Sequence, residues 1–538
     1  MKPSGTLATT PLPLGLGLER KKEFKKHDLG PGKGTVKRME QTHGLRKAKR
    51  EEAISAKRLK HHPAEQAQES GPLASPEQVE AMLRVLFSPT AHKSERSGAL
   101  AQLRLLLSSS APPLDLVFAS PDALPSIVHF LQEPNEEDQL NAAWCLTNLA
   151  SGSHEQTLQT LSAAPYLIAF LSGSNVALQE QAAWALANMA GDSVQCRDLL
   201  RANGVLRPMV QLLASPVGAV AHTAAFGLCN LARGQNPKLM EFYNAGVIEP
   251  LVHQLTSCTE APVLVEVVWL LTYLTTGGTS CIAPLMQAGL ATHLQRIIEL
   301  CATEIQDLVL PTLRVLGNII CSSNALTDAV LEIPQVLPLL RAALDSSSRV
   351  HKKEAAWVVS NLTGGKLAHI DAVVEGQFIP ILVNMLRTST FDIKKEAAYA
   401  LSNIMSEKKY FEPLIEEVLP TFLGMLKAPD LDAVSLTLSL LERMLDYYPE
   451  GATLVEEEDA VETIENLQYQ TDEGLAAQAR HVVDKYYEII EDAENEEALA
   501  SLNDTTAPTQ EEYPPWRTGQ PFSFSASSSS SSSSTSFS

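Results

Sequence analysis

No run of eighteen apolar residues occurs in the 538 positions, so no stretch is suited to cross a bilayer as a helix. The Leu/Pro/Gly-rich start, Met1 to Leu18, lacks the order of a secretory leader, because its basic cluster follows the apolar stretch instead of preceding it. Cysteine is sparse and odd in number, seven residues without a Cys-x-x-Cys pair. Small buried hydrophobes in a reducing compartment fit that usage better than disulfides or zinc. His61 and His62 have no ligand cluster near them. Strand alternation and a βα rhythm are missing, as are Gly-x-Ser-x-Gly and His-Glu-x-x-His. Gly30 to Thr35 is only superficially like a phosphate loop, since its spacing fails and no strand pattern precedes it. The expectation is a protein without membrane span, catalytic residue, cofactor or metal: not an enzyme.

Charge is unevenly placed. Of 42 Lys/Arg and 63 Asp/Glu, residues 1–62 hold sixteen basic and six acidic, a balance of +10, which leaves −31 for the remainder and −21 in all. A basic arm on an acidic body can fold back on it or bind an acidic partner. The body itself would repel phosphate, so no direct nucleic-acid contact is expected.

From Glu77 to about Tyr487, apolar residues recur at three- and four-residue spacing, with breaks at Gly, Ser, Asn or Pro, which predicts helix throughout. The helices also repeat. Centres fall at Trp144, Trp184, Phe226, Trp269, Arg314, Trp357 and Tyr399, in steps of 40, 42, 43, 45, 43 and 42. Four residues after each stands Asn148, Asn188, Asn230, Tyr273, Asn318, Asn361 or Asn403. A period of about 40–47 residues is the mark of armadillo or HEAT units, each of which buries a face only when its neighbour stacks on it. Segments such as Asn244 to Leu251 open a unit, with Gly246 breaking one helix and Pro250 early in the next. Phe411 to Tyr448 and Val455 to Tyr487 read as two closing repeats. The expected fold is all-α, a right-handed superhelical armadillo solenoid of about ten repeats over 77–487. A disordered basic arm (1–62) and a linker (63–76) precede it, and a disordered tail (488–538), acidic and then Ser-rich, follows.

An aromatic ring and a carboxamide four residues apart share one helix face. Trp144, Trp184 and Phe226 in a row would form plates whose gaps suit the stems of Lys or Arg, each cation gaining about 0.5–2 kcal/mol from a ring face. Asn offers a donor and an acceptor to the backbone of an extended peptide. Glu266, Glu354 and Glu396, each three residues before an aromatic centre, and Asp192, two turns after Trp184, could meet cationic heads. A lone Trp on a helix usually packs. Seven registered positions are a different matter, since buried Asn is costly without partners and packing alone supplies no reason to repeat it. The chemistry describes a receptor for an extended basic peptide.

These residues resemble the importin-α family of nuclear import adaptors from about Arg96 to Tyr487, in order as well as type. Trp269/Tyr273 and then Arg314/Asn318 stand where the family has a Trp-x-x-x-Tyr repeat followed by an Arg-x-x-x-Asn repeat. The resemblance implies a major site for nuclear localisation signals at Trp144, Asn148, Gly152, Thr157, Gln181, Trp184, Asn188, Asp192, Phe226 and Asn230. In it, the Gly152 carbonyl, Thr157 and Asp192 would hold the deepest lysine. It implies a minor site at Glu266, Trp269, Tyr273, Arg314, Asn318, Glu354, Trp357, Ser360, Asn361, Glu396, Tyr399 and Asn403. Arg46, Lys47, Lys49 and Arg50 resemble the helix by which family members bind importin-β, and Lys57 and Arg58 fall where an autoinhibitory basic cluster lies. The implied partners are cargo proteins with basic signals, importin-β and the importin-α export factor, in a chain that shuttles between cytoplasm and nucleus. Phe226 and Tyr399 replace family tryptophans, Asn324 stands at a usually acidic position, and Leu59 interrupts the basic cluster, as in a divergent member. The alternative is an armadillo scaffold for other extended peptides without carrier-dependent import.

Overall fold

The computed structural model describes residues 57–58, 75–234, 237–303, 305–448 and 450–487. Among them there is helix and no strand. The expectations for the rest of the arm, for the linker up to residue 74 and for the tail from 488 lie outside the described residues.

Long helices recur at the period read from the sequence: α1 (Lys93–Leu107), α2 (Glu136–Leu149), α3 (Val176–Asp192), α4 (Gly218–Leu231) and α5 (Ala261–Leu274). They continue as α6 (Val309–Ile320), α7 (Arg349–Leu362), α8 (Phe391–Ile404), α9 (Leu431–Tyr447) and α10 (Glu473–Tyr486). Each packs on the next. The centres from Trp144 to Tyr399 fall one per helix, in order, on α2 to α8.

Local chemistry sets these helices. Asn135, Asn175, Ser348, Asp430 and Asp472 cap α2, α3, α7, α9 and α10, each side chain accepting from a backbone N–H of the first turn. Paired alanines lie in mid-helix at 142–143, 182–183, 224–225, 355–356 and 397–398, all with no exposed surface. Their small side chains let neighbouring long helices approach closely, which is why the array is Ala-rich where an ordinary core would carry Leu. Shorter helices back the row, as His154–Thr160 and Ala164–Phe170 do between α2 and α3. The turn into such a helix needs a left-handed residue. Gly204, Gly246 and Gly289 supply it at φ 81°, 85° and 88°, each followed by a buried Val or Leu, and Gln377 adopts φ 58° at the same repeat position before buried Phe378. The row of long helices brings the repeated aromatic and Asn positions side by side.

Candidate functional site

The centre of the site is a lysine pocket built from three segments. Helix α2 ends at Leu149 and the turn beyond it carries Gly152; His154–Thr160 carries Thr157; the last residue of α3 is Asp192. Lys57 Nζ donates to Gly152 O at 2.8 Å, to Thr157 Oγ1 at 2.8 Å and to Asp192 Oδ1 at 2.6 Å. An ammonium has three N–H donors on a tetrahedral centre, and here three acceptors converge on it. The helix ends at α2 and α3 add the negative end of two macrodipoles. His154 Nδ1 lies 2.5 Å from Asp192 Oδ2, on the rim. Burial pushes the Asp192 carboxyl up, but hydrogen bonds from Lys57 and His154 outweigh it and hold the group below its ordinary value.

The next residue is held by its backbone. Arg58 N–H donates to Asn188 Oδ1 at 2.9 Å, and Arg58 O accepts from Asn188 Nδ2 at 2.9 Å and from Trp184 Nε1 at 3.0 Å. One carboxamide thus pairs with both polar groups of an extended residue, as its donor and acceptor permit. The guanidinium carbon of Arg58 stands 4.0 Å over the Phe226 ring, and Nη2 donates to Glu266 Oε1 at 2.5 Å. Glu266, expected in the minor group, is corrected by this contact: α5 delivers its carboxylate to the residue that Trp184 and Asn188 hold. The structure therefore brings Gly152, Thr157, Trp184, Asn188, Asp192, Phe226 and Glu266 together around Lys57 and Arg58. Arg46, Lys47, Lys49 and Arg50 lie outside the described residues.

The Asn ladder has a second use, and it corrects the expectation that packing gives no reason to repeat the residue. Asn188 Nδ2 also donates to Thr147 O on α2, Asn230 to Ala187 O on α3, Asn318 to Thr272 O on α5 and Asn403 to Ser360 O on α7. Each acceptor is the residue just before the ladder position of the preceding repeat. Asn148 Nδ2 reaches Ser108 Oγ in the same sense. At these five positions the carboxamide joins a long helix to what precedes it, and only what is left over can meet a ligand. Gln181 is turned away from the pocket: its Nε2 donates to Thr147 Oγ1 at 2.6 Å, fully buried.

The second group is arranged differently. Arg314 lies with its guanidinium 5.1 Å over Trp269 and donates to Glu354 Oε1 at 3.1 Å, both groups mostly covered. Asn318 gives a further bond to Thr275 Oγ1. Trp357 is buried, its ring against Gly317, where a Cβ would meet Cζ3 at 2.1 Å. Ser360 donates to Trp357 O and Glu396 Oε2, and Asn361 turns back onto Trp357 O of its own helix. Tyr273 is buried on α5 next to Thr272, whose carbonyl Asn318 bonds, while Tyr399 and Asn403 are half-buried on α8.

Residues 110–151 and 368–406 match the armadillo/β-catenin-like repeat. Importin subunit alpha-2 of Oryza sativa subsp. japonica is 33% identical over 490 residues, spanning 84% of this chain and 92% of that protein. Importin subunit alpha-9 of Arabidopsis thaliana is 32% identical over 418 residues, spanning 73% and 80%. The chain belongs to the importin-α family. A solved engineered protein superposes over 76% of the chain and 98% of its own length, at 25% identity and a TM-score of 0.67. The importin-α fold of this chain is thus an all-α armadillo-repeat array among the described residues.

Within this importin-α array, three residues of the groove went unread in the sequence. His154 on the pocket rim has no periodic counterpart to announce it. Arg104 and Arg443 do have one, since each stands 40 positions from a ladder residue, Trp144 and Asn403 respectively. Arg104 lies 5.1 Å over the Trp144 ring, and Arg443 donates to Ser402 O at 3.0 Å, repeating with a guanidinium the join that Asn403 makes one repeat earlier. Extending the period by one unit each way would have found both.

Proposed function

We propose that this chain is a nuclear import adaptor whose groove binds extended basic signals of cargo proteins, and whose basic arm links it to importin-β and, when free, stands in for cargo. The observation that carries the reading is the double clasp on Lys57 and Arg58: three acceptors on an ammonium, followed by one Asn on both polar groups of the next backbone residue. Those contacts read a cation and an extended main chain, and any basic peptide of that shape supplies the same atoms. The membership of the family supports the role of adaptor. By resemblance, Trp269, Tyr273, Arg314, Asn318, Glu354, Trp357, Ser360, Asn361, Glu396, Tyr399 and Asn403 form the minor site, and Arg46, Lys47, Lys49 and Arg50 face importin-β. Two modest sites on one groove would suit a bipartite signal whose linker spans them.

A basic-signal peptide pulled down by the full chain tests the groove. Asp192→Lys, which places a cation where the ammonium sits, should reduce capture by about 100-fold at low salt. Equal capture by both proteins would overturn the assignment. Replacing Arg46, Lys47, Lys49 and Arg50 together by Ala should abolish importin-β capture, and retention of it would remove the arm from that role.

A further inference from the structure

The loop before α8 carries a chemistry that the groove does not use. We propose that Thr390 is a phosphorylation site for a serine/threonine kinase that selects arginine three residues before its acceptor, and that the phosphate tightens the join between α7 and α8.

The local sequence is Arg387-Thr388-Ser389-Thr390-Phe391. A cation three residues before a hydroxyl, with an apolar residue directly after it, is the charge pattern that such a kinase reads in its substrates. Each part is presented at the surface. Thr390 is exposed and Phe391 is 39% exposed. The Arg387 side chain is 50% exposed, in a surface pair with Glu417 that holds it weakly. Ser389 and Thr390 have extended backbone, φ −80° and −62° with ψ 165° and 153°, so the hydroxyl sits on an extended loop and not within a helix. In the transfer, Thr390 Oγ1 attacks the γ-phosphorus of magnesium-bound ATP. The Oγ1–P bond forms as the bond to the β-phosphate oxygen breaks, the hydroxyl proton passes to the kinase's catalytic base, and ADP leaves.

The next repeat shows what a negative group does at this place. Asp430 stands 40 positions after Thr390, Asp432 stands 40 after Asp392, and Lys395 stands 42 after Lys353. There, Lys395 Nζ donates to Asp430 at 2.7 and 2.8 Å and to Asp432 at 3.1 Å. Asp430 Oδ1 also caps α9, accepting from Ala433 N–H at 3.0 Å. At α8, Lys353 donates to Asp392 at 2.7 Å, but Thr390 stands in the place of Asp430 and its side chain does not cap the helix. The hydroxyl instead donates to Asp392 Oδ1 at 2.8 Å and accepts from Arg349 Nε at 3.5 Å. Arg349 Nη2 donates to Asp392 as well, at 2.9 Å. Burial pushes the Asp392 carboxyl up, but hydrogen bonds from Lys353, Thr390 and Arg349 outweigh it and hold the group well below its ordinary value. A phosphate of about −1.5 to −2 charge on Oγ1 would meet two cations of α7 and the first-turn N–H groups of α8. Two anions around one lysine is the arrangement that Lys395 holds one repeat on. Here Arg349 supplies a second cation, so the Asp392 carboxylate does not expel the phosphate.

The test uses the full chain, ATP and a purified kinase of the stated specificity, with tandem mass spectrometry to locate the phosphate. Phosphate is expected on Thr390, lost in Thr390→Ala and reduced about 10-fold in Arg387→Ala. Hydrogen exchange should then show the first-turn amides of α8 protected about 10-fold more than in the unmodified chain. A double variant, Arg349→Gln with Lys353→Gln, should accept the phosphate equally well but lose that gain, each form being compared with its own unmodified state. Phosphate confined to other hydroxyls, Ser389 included, would overturn the site. Phosphate on Thr390 without added protection, or with protection kept in the double variant, would overturn the tightening of α7 against α8.

Discussion

At the scale of single residues, the lysine pocket and one glycine are the most informative. Because Asp192 is held below its ordinary value, its linkage has a definite sign. A carboxylate with a lowered pKa in the docked state stabilises that state fully above the undocked value near about 4, and loses the contribution as pH falls through the lowered one. The contact with Lys57 should therefore survive from pH 8 to 5. Hydrogen-exchange protection of the Arg58 amide, which donates to Asn188, should stay level over that range and fall only below about pH 4. Protection already lost by pH 6 would show that Asp192 does not govern docking. The glycine prediction concerns two helix-interior positions. In Gly317→Ala the new Cβ meets the Trp357 ring at 2.1 Å, and overpacking of this kind destabilises by about 1–3 kcal/mol. At Gly98, exposed on α1, nothing lies within 4 Å, so Gly98→Ala should stabilise by about 0.5–1 kcal/mol. Opposite shifts in thermal melting are expected, and shifts of the same sign would rule out the ring contact. Asp192 was legible in sequence because its offset from Trp184 fixes its face. The partnership of Gly317 with Trp357 was not, since forty residues separate them and a glycine carries no pattern.

At the scale of elements, the ladder separates two jobs that one residue type performs. Asn318 bonds Thr272 O and Thr275 Oγ1, whereas Asn188 bonds Thr147 O and the Arg58 backbone. Asn318→Leu leaves a buried carbonyl without its donor, a loss of about 1–3 kcal/mol. Chemical denaturation should register that loss while peptide affinity at the Lys57 pocket stays within about 2-fold, the site being three repeats away. Asn188→Leu should lower stability by a similar amount and weaken the peptide by at least about 10-fold as well. If both variants weakened the peptide equally, the division of labour would be wrong. The helices themselves were readable from apolar spacing and period, because each repeat restates the same amphipathic unit. What periodicity concealed was the join: an Asn repeated every 42 residues looks the same whether it faces a ligand or its own neighbouring helix. The misplacement of Glu266 has the same origin, since its number puts it with Trp269 on α5 while its carboxylate reaches back to the residue held by α3.

At the scale of the whole molecule, the uneven charge gives the arm its force. A +10 segment is tethered to a body of −31, and Lys57 and Arg58 enter the acidic groove as an intramolecular ligand. A ligand carried on the same chain is presented to the groove at an effective concentration of about 1 mM. If its intrinsic affinity is about 10 μM, the docked form outnumbers the free form by about 100 to one, and a competing peptide binds about 100-fold more weakly than to an open groove. Lys57→Ala removes the ammonium on which three acceptors converge, so in the full chain it should raise the affinity of an external basic peptide by about 10- to 100-fold. Salt provides the control. Raising it to about 0.5 M shortens the screening length to a few ångströms and weakens the attraction between arm and body before it disturbs the covered contacts. The advantage of Lys57→Ala over wild type should therefore narrow as salt rises, although absolute affinities fall in both. Equal affinities for the two proteins at low salt would mean that the docked arm excludes nothing, and that the clasp on Lys57 and Arg58 is a resting contact rather than a gate.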